Sequence, residues 1–396
     1  MAGQEAVFQK YTAEDAAKYA IGRAYAYPEV LYESILKWYV LMGQAMRPRE
    51  AMLTALVCAT NIATLPKRSP TIHRHPVAGM VSLQQGLRPV AARCHPFCLP
   101  PCMALHPQSS RACEAGVPAH LHPVVHQGPR TTALDVGTGP GKVVWDLLRH
   151  FAYVIGCDAG PGMIEHARAS AAAHHLTDRT TFTVTPAETC AAAVTATGRA
   201  SVDLITVATA AHWFDLPCFY ASAATALRPG GTLALWILSS SFIHPAVPHA
   251  REIQAVLAEL EDDALRPYYQ MPGTMYARNG YDDLPLPWTD GAANPGFERE
   301  SFQRVEWDRH GVPSAPSLPD GSPGPFQMGR AVTSAQAELG LATSSSVVRW
   351  RAAHPGKVGT AEDVVQVAFR KIREIVGEVE ALTVAPSCSL LLTRRA

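Results

Sequence analysis

From residue 131 onward, short apolar runs alternate with stretches whose apolar positions recur at helical spacing. The runs at 133–136, 154–158, 181–185, 204–208 and 232–237 predict five strands. Between them, 141–150, 162–174 and 219–227 predict helices, with Pro161 set at the start of the second. Regular strand–helix alternation predicts a mostly parallel sheet covered by helices. Further on, 302–307 alternates as a strand and 311–325 reads as a Pro/Gly/Ser-rich linker. A helix at 361–375 and a strand at 389–393 then close the sheet. Upstream, 8–40 reads as helical and rich in aromatic residues. Pro28 opens a helix over 29–39, a place in the first turn where proline is tolerated.

Between these parts the periodicity stops. Residues 41–130 hold twelve prolines, five of the nine cysteines and seven of the sixteen histidines, with nine Lys and Arg against only Glu50 and Glu114. After a short helical stretch at 50–64, prolines are too dense for helix or strand interiors. Such a segment buries too little apolar surface to offset its ordering entropy, so a disordered insertion is expected. Among Cys94, His95, Cys98, Cys102, His106 and Cys113, the Cys94-x₃-Cys98-x₃-Cys102 spacing permits a zinc pair, but the second pair is irregular and Pro96, Pro100 and Pro101 stiffen the spacing, so no metal is expected. Replacing 44–127 by a short Gly/Ser linker should therefore leave the fold intact and any ligand binding by the rest of the chain equal or tighter. Loop-closure cost grows only logarithmically with length. Limited proteolysis should cut first in this segment, and a chelator should not move the thermal midpoint.

The centre of the pattern is 131–158. The run Ala133-Leu134-Asp135-Val136 enters Gly137-Thr138-Gly139-Pro140-Gly141, a helical stretch follows, and the second run ends on Asp158. Glycines let the backbone turn sharply and approach a ligand. An acid at the second strand's tip is placed to accept hydrogen bonds from a ribose diol. Dinucleotide sites want G-x-G-x-x-G, whereas here the third glycine of that pattern is Lys142. The sequence D-V-G-T-G-P-G instead resembles motif I of the class I S-adenosylmethionine (SAM)-dependent methyltransferases. The resemblance implies a seven-stranded, mostly parallel Rossmann-like sheet and SAM as cofactor. It places Asp135, Gly137, Thr138, Gly139 and Gly141 at the methionine moiety and Asp158 at the ribose.

Further motifs extend the resemblance over 131–240. Asp158-Ala159-Gly160-Pro161-Gly162-Met163 is similar to the family's D-x-S-x-x-M turn, and Pro186-Ala187-Glu188 to its adenine-flanking A-E step. Leu227-Arg228-Pro229-Gly230-Gly231-Thr232 matches the turn before the fifth strand. The segment 19–28 resembles Y-x-x-x-R-P-x-Y-P, departing at 24–26; this implies that Tyr19 and Arg23 close over the cofactor. After the fourth strand, Ala211-His212-Trp213-Phe214-Asp215 resembles the type 11, trans-aconitate methyltransferase-like fungal subgroup. Its loop faces the crevice where open α/β sheets bind ligands. His212 is the candidate catalytic residue, orienting or deprotonating an acceptor, and Trp213 the candidate wall; the alternative is that both only pack the loop. In the lid at 241–330, Tyr269 is a candidate for the acceptor side. Arg266 or Arg278 there is a candidate clamp for a carboxylate.

The divisions expected are a cofactor-capping helical region (1–40), the insertion (41–130), the SAM-binding core (131–240), a substrate lid with linker (241–330) and C-terminal helices with a closing strand (331–396). Lys and Arg total 34, balancing 34 Asp and Glu, which gives no electrostatic reason to expect nucleic acid or an anionic membrane. No apolar run reaches a spanning length and the first residues do not read as a secretory signal, so a cytoplasmic monomer or homodimer is expected. The expected activity is methyl transfer from SAM to a small-molecule oxygen, a carboxylate or a hydroxyl. The alternatives are a SAM-binding protein without turnover and, less favoured by Lys142, an NAD-linked oxidoreductase.

Overall fold

The structure is a computed structural model, and it describes residues 9–23, 27–44, 130–289, 294–377 and 380–396. Nearly all of the segment expected to be inserted, including the helical stretch at 50–64 and the cysteines from Cys94 to Cys113, lies outside the described residues. So does the departure at 24–26.

The apolar runs form strands for the reason the pattern implies: helices cover both faces, so a central strand is apolar along its whole length. Every residue of β1 (Thr132–Val136) is buried. Beside it lie β2 (Tyr153–Asp158), β3 (Thr180–Val184), β4 (Val202–Ala208) and β5 (Leu227–Ile243). These five pair in parallel in the order β3-β2-β1-β4-β5. β6 (Phe297–Trp307), the three-residue β7 (Arg330–Val332) and β8 (Leu382–Arg395) complete the sheet, with β8 antiparallel to β5, β6 and β7. The Rossmann-like, mostly parallel sheet is thus as expected, with β7 as an additional short strand after the linker.

Helices α1 (Ala13–Gly22), α2 (Glu29–Gln44), α3 (Lys142–Leu147), α4 (Pro161–Ala173), α5 (Cys190–Thr195) and α6 (Leu216–Ala226) pack around the parallel strands. One face of the sheet buries Leu134, Ile155, Ile205 and Phe219 with α5 and α6. The other buries Ala133, Val154, Leu204 and Trp236 against Leu31, Ile35, Val144 and Ile164 of α2, α3 and α4. A third cluster joins α7 (Ala250–Glu259) to α10 (Ser345–Ala353) and α11 (Val364–Val376). Its anchor is the i, i+4 stripe Val364, Val365, Ala368, Phe369 and Ile372. Two further helices, α8 (Gly273–Arg278) and α9 (Ser334–Ala342), lie in the lid and ahead of α10.

Two features position the site. Chain order reverses between β1 and β4, and ligands of open α/β sheets bind at such a switch point, outside the carboxyl ends of the strands. β5 also overshoots: β4 ends opposite Trp236 at Ala208, whereas β5 continues against β8 to Ile243. The polar Ser239-Ser240-Ser241 hides that extension in the sequence. Among the described residues no helix is long and apolar enough to cross a membrane, and no group of three or more His, Cys, Asp or Glu is placed to hold a metal.

Candidate functional site

The glycine loop after β1 is fixed by backbone before any ligand arrives. Gly137 and Thr138 both donate their amides to the Cys157 carbonyl at the end of β2, at 2.8 and 3.0 Å. Gly137, Gly139 and Gly141 all have φ in the left-handed region, at 69°, 54° and 90°, where a Cβ is strained. A Cβ on Gly137 would stand 2.7 Å from that of Ala210, whereas one on Gly139 would meet nothing within 4 Å. Gly137 therefore lets the loop pass the β4 side, and Gly139 faces open space.

Asp158 organises the same loop from β2. One carboxylate oxygen accepts the Gly139 amide at 2.9 Å and the other accepts the Gly160 amide at 2.8 Å. Burial pushes its carboxyl up from the usual aspartate range, and the two amide donors oppose that shift. Asp135, 1% exposed, accepts the Thr206 hydroxyl at 2.7 Å through one oxygen; the other oxygen is buried with no hydrogen-bond partner. Burial raises this carboxyl to about 7, against the Thr206 and Thr138 hydroxyls and with a contribution from the Asp158 charge.

Two neighbouring cavities open here. The first, about 110 Å³, is bounded by Asp158, Met163, Ala187, Trp213 and Phe214. The second, about 380 Å³, is bounded by Asp135, Thr138, Arg23, Tyr27 and Lys142. Tyr19, Gly137 and Gly139 belong to both walls. Their combined size suits a small organic ligand. Of the residues expected at the cofactor, Gly141 and Glu188 stand back from the cavities. Gly141 makes the turn into α3, and Glu188 accepts the Asp215 amide at 2.9 Å.

Lys142, which occupies the place of a third dinucleotide glycine, ties the loop to the N-terminal helices. Its ammonium donates to the Arg23 carbonyl at 2.8 Å, at the C-cap of α1, and lies 5.1 Å from the Tyr27 ring centroid. Burial lowers Lys142 to about 8, with Asp146 opposing and Arg23 and Arg330 reinforcing the shift. Arg23 in turn donates to the Thr343 hydroxyl at 2.8 Å.

The turn after β4 is a short 3-10 segment, Ala211–Trp213. Trp213 walls the first cavity, but His212 points away from both and is 7% exposed. Its Nδ1 lies 3.0 Å from the Tyr281 hydroxyl and its ring packs 4.4 Å from that of Trp213. Burial alone drops its pKa to about 3, so the ring is neutral at physiological pH. The lid presses on this turn from outside: a Cβ on Gly273 would lie 2.5 Å from the His212 carbonyl oxygen.

Trp213 apart, the residues expected on the acceptor side, Arg266, Tyr269 and Arg278, lie outside both cavities. Arg266 is exposed. The two terminal nitrogens of Arg278 donate to Glu261 at 2.8 Å and Asp262 at 2.6 Å, and one of them also to the Tyr269 hydroxyl. Tyr269 itself donates to the Glu261 carbonyl at 2.6 Å. That fork is already filled, so a carboxylate clamp by Arg278 would require breaking an internal network. The cations on the cavity wall are instead Arg23 and Lys142.

The residues 133–231 match the methyltransferase domain family. A Dictyostelium discoideum protein named as a methyltransferase is 32% identical over 176 residues, 44% of this chain and 57% of that protein. The Saccharomyces cerevisiae protein CRG1, named as an S-adenosylmethionine-dependent methyltransferase, is 30% identical over 111 residues, 28% of this chain and 37% of that one. The chain thus spans about half or less of the length of these relatives. Among solved structures, a type II methyltransferase from Anaeromyxobacter dehalogenans is similar at 24% identity and a TM-score of 0.46, over 67% of this chain and 90% of that one.

Proposed function

We propose that this chain, whose residues 133–231 match the methyltransferase domain family, is a class I enzyme that transfers the methyl group of SAM to an oxygen of a small molecule. The observation that carries the reading is the joint placement of Gly139 and Asp158 on one cavity wall at the switch point of the sheet. The ribose diol takes the Asp158 carboxylate, the adenine lies toward Met163 and Ala187, and the amino-acid tail runs past the loop into the second cavity. Arg23 and Lys142 there favour an acid group, the cofactor's own carboxylate or the acceptor's.

Methyl transfer is an in-line displacement at a sulfonium carbon, so the protein acts mainly by positioning and by excluding water. α1 covers the crevice with Tyr19 and Arg23. A carboxylate acceptor needs no base, whereas a hydroxyl acceptor favours one within hydrogen-bond reach. His212, neutral and behind the wall, takes the role of a positioning residue that fixes Trp213. The modest size of the two cavities favours a small acceptor over a macromolecule, in a protein acting as a monomer or homodimer in the cytoplasm.

Asp158→Asn should weaken SAM by tenfold or more, since a charge-assisted hydrogen bond contributes about 1.5–3 kcal/mol. Calorimetric titration checks this. Asn retains an acceptor for one of the two amides, which preserves the loop. Unchanged SAM affinity in the folded variant, or tighter binding of NAD than of SAM by the unmodified protein, removes the proposal. Binding of SAM without turnover on a panel of carboxylic and hydroxylic acceptors leaves a binding protein in place of an enzyme.

A further inference from the structure

Beyond the two cavities at the switch point, a further one of about 130 Å³ lies against the overshoot of β5, where Leu238, Ser239 and Ser241 line it. Regular alternation would not bring Leu238 and Ser239 to one wall, and a bulge does. Leu238 pairs with Cys388 and Ser241 with Pro386, so Ser239 and Ser240 together stand against Ser387. Met328 and Gly329 form another part of the wall, and the fully buried Asp308 fixes them. Its carboxylate accepts the Gln327 and Met328 amides at 3.1 and 2.6 Å. Arg330 follows as the first residue of β7, paired with Val384 of β8.

Charge sets this cavity apart. Arg23 and Arg330 are both on its wall, and among the described residues that line it there is no Asp or Glu. The second cavity, by contrast, places Asp135 and Asp146 beside Arg23 and Lys142. Arg23 is the residue that the two walls share. The charges of Arg23 and Arg330 both act on the Lys142 ammonium, so the three cations stand in one field. An anion entering the further cavity gains from two guanidinium groups and meets no carboxylate among these lining residues. The Ser239 hydroxyl already donates to the Ser387 carbonyl at 3.3 Å, which leaves Ser241 as a neutral donor on the wall.

We propose that this cavity anchors the acceptor, with Arg23 and Arg330 holding a carboxylate other than the group that receives the methyl. The inference rests on the crevice being the SAM site and names the acceptor class for it, a small acid with two functional groups. The anchored carboxylate lies against the bulge of β5. The rest of the molecule passes Arg23 into the second cavity, where its other oxygen meets the cofactor.

The test is methyl transfer from labelled SAM to short straight-chain dicarboxylates and ω-hydroxy acids. Each is run beside its analogue with the distal carboxylate converted to a primary amide. The full chain should favour the acids over the amides by about tenfold in KM, the worth of a charge-assisted hydrogen bond at a partly exposed site. Arg330→Gln should remove most of that advantage through KM, with kcat and SAM affinity kept. Arg330→Lys should retain part of it, because the charge stays and the planar fork is lost. Arg330 is exposed, so neither variant disturbs the core. Equal KM for acids and amides, an advantage unaltered in Arg330→Gln, or no turnover of any member by the SAM-bound protein overturns the anchoring cavity and leaves the SAM site standing. Failure to bind SAM removes the SAM site instead. The anchor is then judged by whether a dicarboxylate raises the thermal midpoint of the full chain but not of Arg330→Gln, and an equal response of the two overturns it.

Discussion

Asp135→Asn should stabilise the cofactor-free protein by about 4 kcal/mol at pH 8 and by very little at pH 4. The carboxyl is buried with one oxygen unpartnered, and its pKa stands at about 7, against about 3.9 in an unfolded chain. The folded state therefore holds a proton that the unfolded state has released between those values. Stability from this group is fully present below the unfolded pKa and is lost as pH rises through about 7. Three pH units correspond to about 4 kcal/mol. Asparagine keeps the oxygen that accepts from Thr206 and has no proton to lose, so the pH-dependent part disappears. Chemical denaturation of both proteins across pH 4–8 measures this directly. The variant should also gain less stability from SAM, because the Asp135 carboxylate belongs to the wall of the cavity proposed to take the amino-acid tail, whose ammonium it would attract. A constant stability difference across that pH range would mean that Asp135 is already ionised in the folded protein.

The parallel half of the sheet was legible because its strands are buried on both faces and written as apolar runs. Pairing of charges was not legible. Arg278 beside aromatic residues reads as a substrate clamp, but a π-helical turn, Leu260–Ala264, brings Glu261 and Asp262 within its reach. His212 reads as a base at the crevice, but its partner is Tyr281, within the lid segment 69 residues further on and itself at φ +65°. Lys142 argued for SAM over a dinucleotide by breaking a glycine pattern, yet nothing local says that its ammonium reaches back to Arg23.

The N-terminal cap is where a single methyl group has the next largest expected effect. α1 begins with a capping box in which the Thr12 hydroxyl accepts the Asp15 amide and Asp15 accepts the Thr12 amide. That turn lies directly on Gly162 in the first turn of α4. A Cβ added there would stand 2.0 Å from the Tyr11 carbonyl oxygen and 2.7 Å from the Thr12 carbonyl carbon. Both are backbone atoms, so no flexible side chain gives way. Gly→Ala inside a helix ordinarily gains up to about 1 kcal/mol. Overpacking of this kind costs about 3 kcal/mol unless α1 lifts away. Gly162→Ala should therefore lower stability or release the cap, and in either case weaken SAM binding through Tyr19 and Arg23, which α1 and its C-cap bring to the cavities. Gly340→Ala in α9 is the control, since its Cβ would lie 3.5 Å from the Gly22 oxygen, an ordinary contact, and should stabilise. Denaturation and SAM titration of the two variants separate the cases. Retention of both stability and affinity by Gly162→Ala would show that the docking of α1 on α4 does not close the site.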